Sequence, residues 1–168
     1  MAGTDIVDVA AGLSPLSPVV ALRRQRAAFV RHTQGSYDAL IIPADPAGVS
    51  LIERAAVALR VASIERDVAL LAHYRARLDA LGAGRGVVAA AGGEGGATDV
   101  PPRLVAILDH ATVVTTAPGS ASQARLDAMQ DAGLAPRDIV TIAQVVAFVS
   151  YQVRVVAGLR AMAQDTHA

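Results

Sequence analysis

His73 is the side chain best suited to moving a proton, because an imidazole changes charge near neutral pH. Three carboxylates accompany it. Glu53 stands on the stretch before it, and Glu65 and Asp67 flank a charged break, Glu65-Arg66-Asp67. If the chain folds back at that break, a carboxylate can orient the imidazole and raise its basicity, which makes a general base. The same residues also admit a structural reading, in which Glu53 completes a capping box with Ser50, the break is a solvated corner, and His73 packs between helices. A second constellation lies near the C-terminus. Gln144, Tyr151 and Arg154 fall at spacings of 7 and 3 and so share one helical face, as a ligand-binding set would. Arg154 in so apolar a stretch needs a carboxylate partner (Glu53, Glu65 or Asp109) or an anionic ligand, since a lone buried charge is costly.

Other chemistries are excluded or poorly supported. The 168 residues include no cysteine, so thiol chemistry is absent. No H-x-x-x-H, H-E-x-x-H or E-x-x-H pair occurs, so no metal is expected. There is no G-x-S-x-G elbow for a serine nucleophile, and no cofactor is implied. The segment with GAGRG and GGEGG follows no strand, which argues against a phosphate cradle. His110 beside Asp109 is a weaker signal, and His32 and His167 are expected in a loop and a tail.

The elements that would position these residues read as helices. Residues 1–17 look like an irregular arm, and a first helix runs from Pro18 to about Arg31, with proline where its missing N–H costs nothing. Gly35, Pro43, Asp45-Pro46 and Gly48 suggest that residues 32–48 are a connecting segment. Ser50 and Glu53 open the next helix, and Leu71, Tyr74, Leu78 and Leu81 form one stripe of a following helix that Gly82 ends. Residues 82–98 read as a flexible surface loop joining two halves, about 18–82 and 101–163, of a single domain. The second half has a helix from Pro101-Pro102 to about Thr116, a short helix capped by Ser120 and ending at Gly133, and a long helix from Asp138. Two stripes make that last helix apolar nearly all round: Ile139, Ile142, Val146, Val149, Val153 and Val156, then Val145, Phe148, Val155, Leu159 and Met162. It should be central. No strand candidate is long enough, so the fold class is all-α.

Fifteen arginines and no lysine balance fifteen acids, leaving no electrostatic footprint for nucleic acid or an anionic membrane. The run Arg23-Arg24-Gln25-Arg26 reads as a solvated helix face. Gln144, Gln152 and Arg154 interrupt the most apolar stretch, and the first residues lack a basic region, so a soluble cytoplasmic protein is expected. The chain is 53% apolar but 3% aromatic, so its core is aliphatic and its surplus apolar surface hints at self-association.

The run ERAAVALRVA, the charged corner and AHYRARLDALG resemble the core hairpin of the carboxymuconolactone decarboxylase superfamily, which includes the AhpD-like alkylhydroperoxidases. AFVSYQVRVVAGLRAM is similar to the last helix of peroxidase-related members, and HTQGSYDALIIP to the CMD domain proteins. The likeness spans about residues 32–82 and 101–163. It implies an all-helical bundle built round a helical hairpin, assembled as a homo-oligomer: dimer, trimer or hexamer. AhpD-like members carry C-x-x-C, then a histidine after three residues, with an upstream glutamate as proton relay. With His73 on that histidine, the cysteines fall on Arg66 and Ala69. Anchored instead on VALRVA, they fall on Asp67 and Leu70, with Tyr74 at the histidine and Ala55, rather than Glu53, at the glutamate. Neither register supplies a thiol, so a peroxidase mechanism is not expected. The decarboxylase branch lacks the cysteine pair and keeps a histidine. That likeness implies His73 as base and Arg154 as clamp for a small carboxylate or lactone. The alternative is a catalytically silent scaffold, or the ligand-binding partner of a cysteine-containing relative.

Overall fold

The computed structural model describes residues 5–165, which form nine α-helices and one 3₁₀ turn without any strand. The frame is built from the middle of the chain. Ser50 caps α4 (Leu51–Ile64): its hydroxyl accepts from the Glu53 N–H at 3.2 Å, and the Glu53 carboxylate accepts from the Ser50 N–H at 2.8 Å. This is the reciprocal box that the spacing predicts. Ala55, Ala56, Ala58, Leu59 and Ala62 of α4 have no exposure at all. Its alanines let five other helices pack close around it, with α9 crossing most of the remaining layers.

The corner between α4 and α5 (Val68–Ala80) is as tight as its charges suggest. The Asp67 N–H bonds back to the Ala62 carbonyl at 3.1 Å and the Arg66 N–H to the Ser63 carbonyl at 3.2 Å. This is a Schellman closure, with Arg66 in the left-handed position at φ 59°. Asp67 then starts the next helix, its carboxylate accepting from the Leu70 N–H at 2.9 Å. One residue therefore ends one helix and begins another. Leu70, Tyr74 and Leu78 form the buried stripe of α5, while the expected Leu71 and Leu81 sit half-buried at its margin. Gly82, at φ +70°, closes α5 as predicted.

Three stretches expected to be irregular each contain a helix, although residues 1–4 of the first lie outside the described residues. Within residues 1–17, Asp5 caps α1 (Ile6–Ala10), which buries Ile6, Val7 and Ala10. The buried Arg23 guanidinium holds Asp5 at 3.1 Å and Asp8 at 2.5 Å, so the basic run is not simply a solvated face. The first expected helix stops early as α2 (Pro18–Arg24), and α3 (Ala27–Ile41) runs through much of the supposed connecting segment. Thr33, Tyr37 and Ile41 recur every fourth residue as its buried face, and Gly35 lies on the exposed side. There a mid-helix glycine costs only about 1 kcal/mol. The supposed flexible loop contains α6 (Arg85–Gly92), which buries Val88 and Ala91 against α4.

The last three helices follow the sequence closely. They are α7 (Pro102–Thr116), α8 (Gln123–Asp131) and α9 (Pro136–Asp165). Ser122 precedes α8, whereas Ser120 belongs to the 3₁₀ turn before it. The 30 residues of α9 span about 45 Å. The Ile139-to-Val156 stripe of α9 is buried, as are Val145, Phe148 and Leu159, while Val155 is half-buried and Met162 exposed. By length and composition α9 could cross a membrane, but half of that stretch is buried within this fold.

Candidate functional site

His73 and Tyr74 point about 100° apart on α5, so one faces α3 while the other enters the core. Tyr37 of α3 reaches His73, its Oη lying 2.8 Å from Nε2. The two ring centroids are 5.7 Å apart, and His73 also meets the edge of Tyr74 at 5.0 Å. Burial lowers the pKa of His73, and the positive charge of Arg77 one turn along lowers it further. Burial raises the Tyr37 pKa, with Arg77 opposing and Asp38 adding to the effect. At neutral pH the pair is therefore an uncharged imidazole bonded to an uncharged phenol. Deeper in, the Tyr74 hydroxyl donates to Gln152 Oε1 of α9, and both residues have no exposure. Burial pushes the Tyr74 pKa well above its ordinary value.

The carboxylates expected to orient His73 are occupied elsewhere. Glu53 completes the capping box of α4 and also receives Arg103 Nε at 2.7 Å. Arg103 donates as well to the carbonyls of Gly48 (2.7 Å) and Gly133 (2.6 Å), tying α7 to two loops. Asp67 caps α5 and accepts both guanidinium nitrogens of Arg160, at 2.6 and 3.3 Å. Arg160 reaches further to the Ala10 carbonyl at 2.8 Å, fastening α1 to the corner. Glu65 is half-buried, with Arg154 at 3.7 Å. The partner of His73 is therefore a tyrosine, because the arginines claim the acids.

The C-terminal constellation does not assemble either. The Arg154 side chain is 68% exposed, so it is not the buried charge that its apolar surroundings suggested; it reaches Glu65 and the Ser150 carbonyl. Gln144 is exposed. Tyr151 turns towards α3 and bonds the Thr33 hydroxyl at 3.1 Å.

Among the described residues, concavities include a cleft and a groove. A cleft of about 510 Å³ is lined by Arg60, Glu94, Asp99 and Asp109 with apolar residues of α7. A groove of about 290 Å³ runs between α3 and α9. Of the residues expected to form a site, only Tyr151 lines either of them. His32 lines the groove from α3 rather than lying in a loop. His110 is buried on α7 with Nδ1 unbonded, its pKa lowered by burial and then by Arg125, while Asp109 faces the larger cleft. His167 falls outside the described residues. Among those described, no group of three or more His, Asp and Glu side chains is placed to hold a metal.

Thr33 and Tyr37 fall in the stretch that the turn-forming residues mark as a connecting segment, and Phe29 lies inside the expected first helix without a role. The recurrence of Phe29, Thr33, Tyr37 and Ile41 at every fourth residue is the signal that finds them.

Neither a protein-family model nor a curated protein matches the sequence. Solved structures do share its fold. An uncharacterized peroxidase-related protein from Silicibacter sp. TM1040 is similar over 91% of this chain and 78% of its own length, with a TM-score of 0.72 and 21% identity. An alkylhydroperoxidase AhpD core, an uncharacterized peroxidase-related protein from Ralstonia eutropha JMP134, is similar over 88% of this chain and 76% of its own. Its TM-score is 0.70, at 24% identity. The chain thus has an AhpD-like all-helical fold and no cysteine.

Proposed function

We propose that this chain uses the AhpD-like fold as a thiol-free assembly scaffold, soluble in the cytoplasm, and not as a peroxidase. The observation that carries the reading is the chemistry of the α4–α5 corner. Where the resemblance would put the first cysteine of the pair, Arg66 in one register closes one helix, Asp67 in the other caps the next, and Arg160 is bound to Asp67. Those residues hold structure together and leave no nucleophile. Large apolar side chains left open, among them Leu16 at 93% exposure and Val68 at 79%, support association with further copies as a dimer, trimer or hexamer. A cysteine-containing relative of the same fold is the other partner that this reading allows.

One observation favours a second reading. The Tyr37–His73 pair is uncharged at neutral pH, as a general base or acid for a small carboxylate or lactone would be. Arg77 would then be the neighbouring cation that holds the substrate, in place of Arg154. Turnover of lactones, keto acids and peroxide by the purified chain separates the two. The scaffold reading predicts no turnover by the parent or by His73→Ala; lactone turnover that the variant loses would replace it with the second reading.

A further inference from the structure

Both phenylalanines of the chain and one of its three tyrosines meet at the groove between α3 and α9, where none of the roles above uses them. Phe29, His32, Thr33 and Ser36 come from one face of α3, and Phe148 and Tyr151 from α9. The Tyr151 ring meets Phe29 edge-on at 6.3 Å and lies 6.3 Å from Phe148. Phe29 is 48% exposed, so one wall stands open to solvent. The groove measures about 290 Å³. A dry cavity of about 150 Å³ suffices for benzene, so a single substituted ring fits here.

The floor of the groove has a definite hydrogen-bond polarity. Thr33 has one hydroxyl proton and donates it to the Phe29 carbonyl at 3.0 Å, a group that only accepts. The Thr33 and Tyr151 hydroxyls are 3.1 Å apart and either oxygen could donate across that contact; with the Thr33 proton on the Phe29 carbonyl, the donor is Tyr151. In that arrangement Tyr151 Oη keeps lone pairs for an incoming donor. Ser36 likewise donates its proton to the His32 carbonyl at 2.9 Å. Aromatic walls thus surround hydroxyl oxygens placed to accept, with the His32 imidazole on the α3 side.

We propose that this groove binds a small neutral aromatic ring carrying an O–H or N–H donor, a phenol or an aromatic amine. The ring lies against Phe29 and Phe148, and its donor bonds Tyr151 Oη. Only α3 and α9 are needed, so the inference stands apart from the assembly reading.

The test titrates the full chain with phenol and, separately, with anisole, which has the same ring without the donor, while amide resonances are followed by NMR. Phenol should give saturable shifts centred on residues 29–36 and 147–151, with anisole binding roughly threefold or more weakly, the worth of one hydrogen bond. Tyr151→Phe should abolish the preference for phenol while anisole still binds, and Phe29→Ala should weaken both. Equal affinities of the parent for the two probes would overturn the proposal. So would the absence of saturable shifts. If those amides shift on dilution and ignore both probes, a second copy occupies the groove: the proposal fails while the assembly reading gains.

Discussion

Asp67 shows how one side chain can serve two helices and a third element at once. It caps α5, and it holds Arg160, which in turn holds the end of α1. Asp67→Ala is expected to cost about 1–2 kcal/mol in urea unfolding, about 1 for the cap and the rest for a partly screened ion pair. Asp67→Asn keeps an acceptor for the cap and should lose only the second share. His73 makes a prediction of the opposite chemical kind. Its folded pKa lies below the ordinary 6.5, so just below pH 6.5 the unfolded chain takes up a proton that the folded chain refuses. The stability linked to His73 is complete above 6.5 and is lost as pH falls towards the folded value. His110 acts in the same direction. Unfolding measured across a pH series should show a decline below 6.5 that His73→Gln makes shallower; an unchanged slope in the variant would contradict the buried neutral imidazole.

At the scale of elements, the corner offers a cleaner test than any core substitution. Arg66 is the non-glycine residue in a position that Gly82, Gly93 and Gly133 fill at other helix ends. Arg66→Gly removes the Cβ strain of the left-handed conformation and should raise stability by up to about 1 kcal/mol despite its added chain entropy, read as a higher urea midpoint. Helix ends written in local chemistry were legible in the sequence: Ser50 with Glu53, the charged break, Gly82, Pro102 and the long stripes of α9. Helices α1 and α6 were not, because segments of 5 and 8 residues owe their helicity to burial against the rest of the fold and not to propensity. The same limit applied to the candidate site. His73 stood out by type, but the partners of Glu53 and Asp67 are arginines 50 and 93 residues away, which no local pattern reveals. Tyr37 was hidden by turn-forming residues around a helix whose glycine faces outward.

For the whole molecule, the aliphatic composition and the fold point the same way. The apolar fraction is 53%, and Leu16, Val68 and Val140 remain more than half exposed. Self-association is the ordinary way to cover such surface. The proposed assembly would also suit a corner held by the Asp67–Arg160 ion pair. Light scattering of the full chain, coupled to size separation over a range of concentrations, tests this most directly. The account predicts a mass at an integer multiple, two or more, of 17.2 kDa. A single species of 17.2 kDa at every concentration would contradict it.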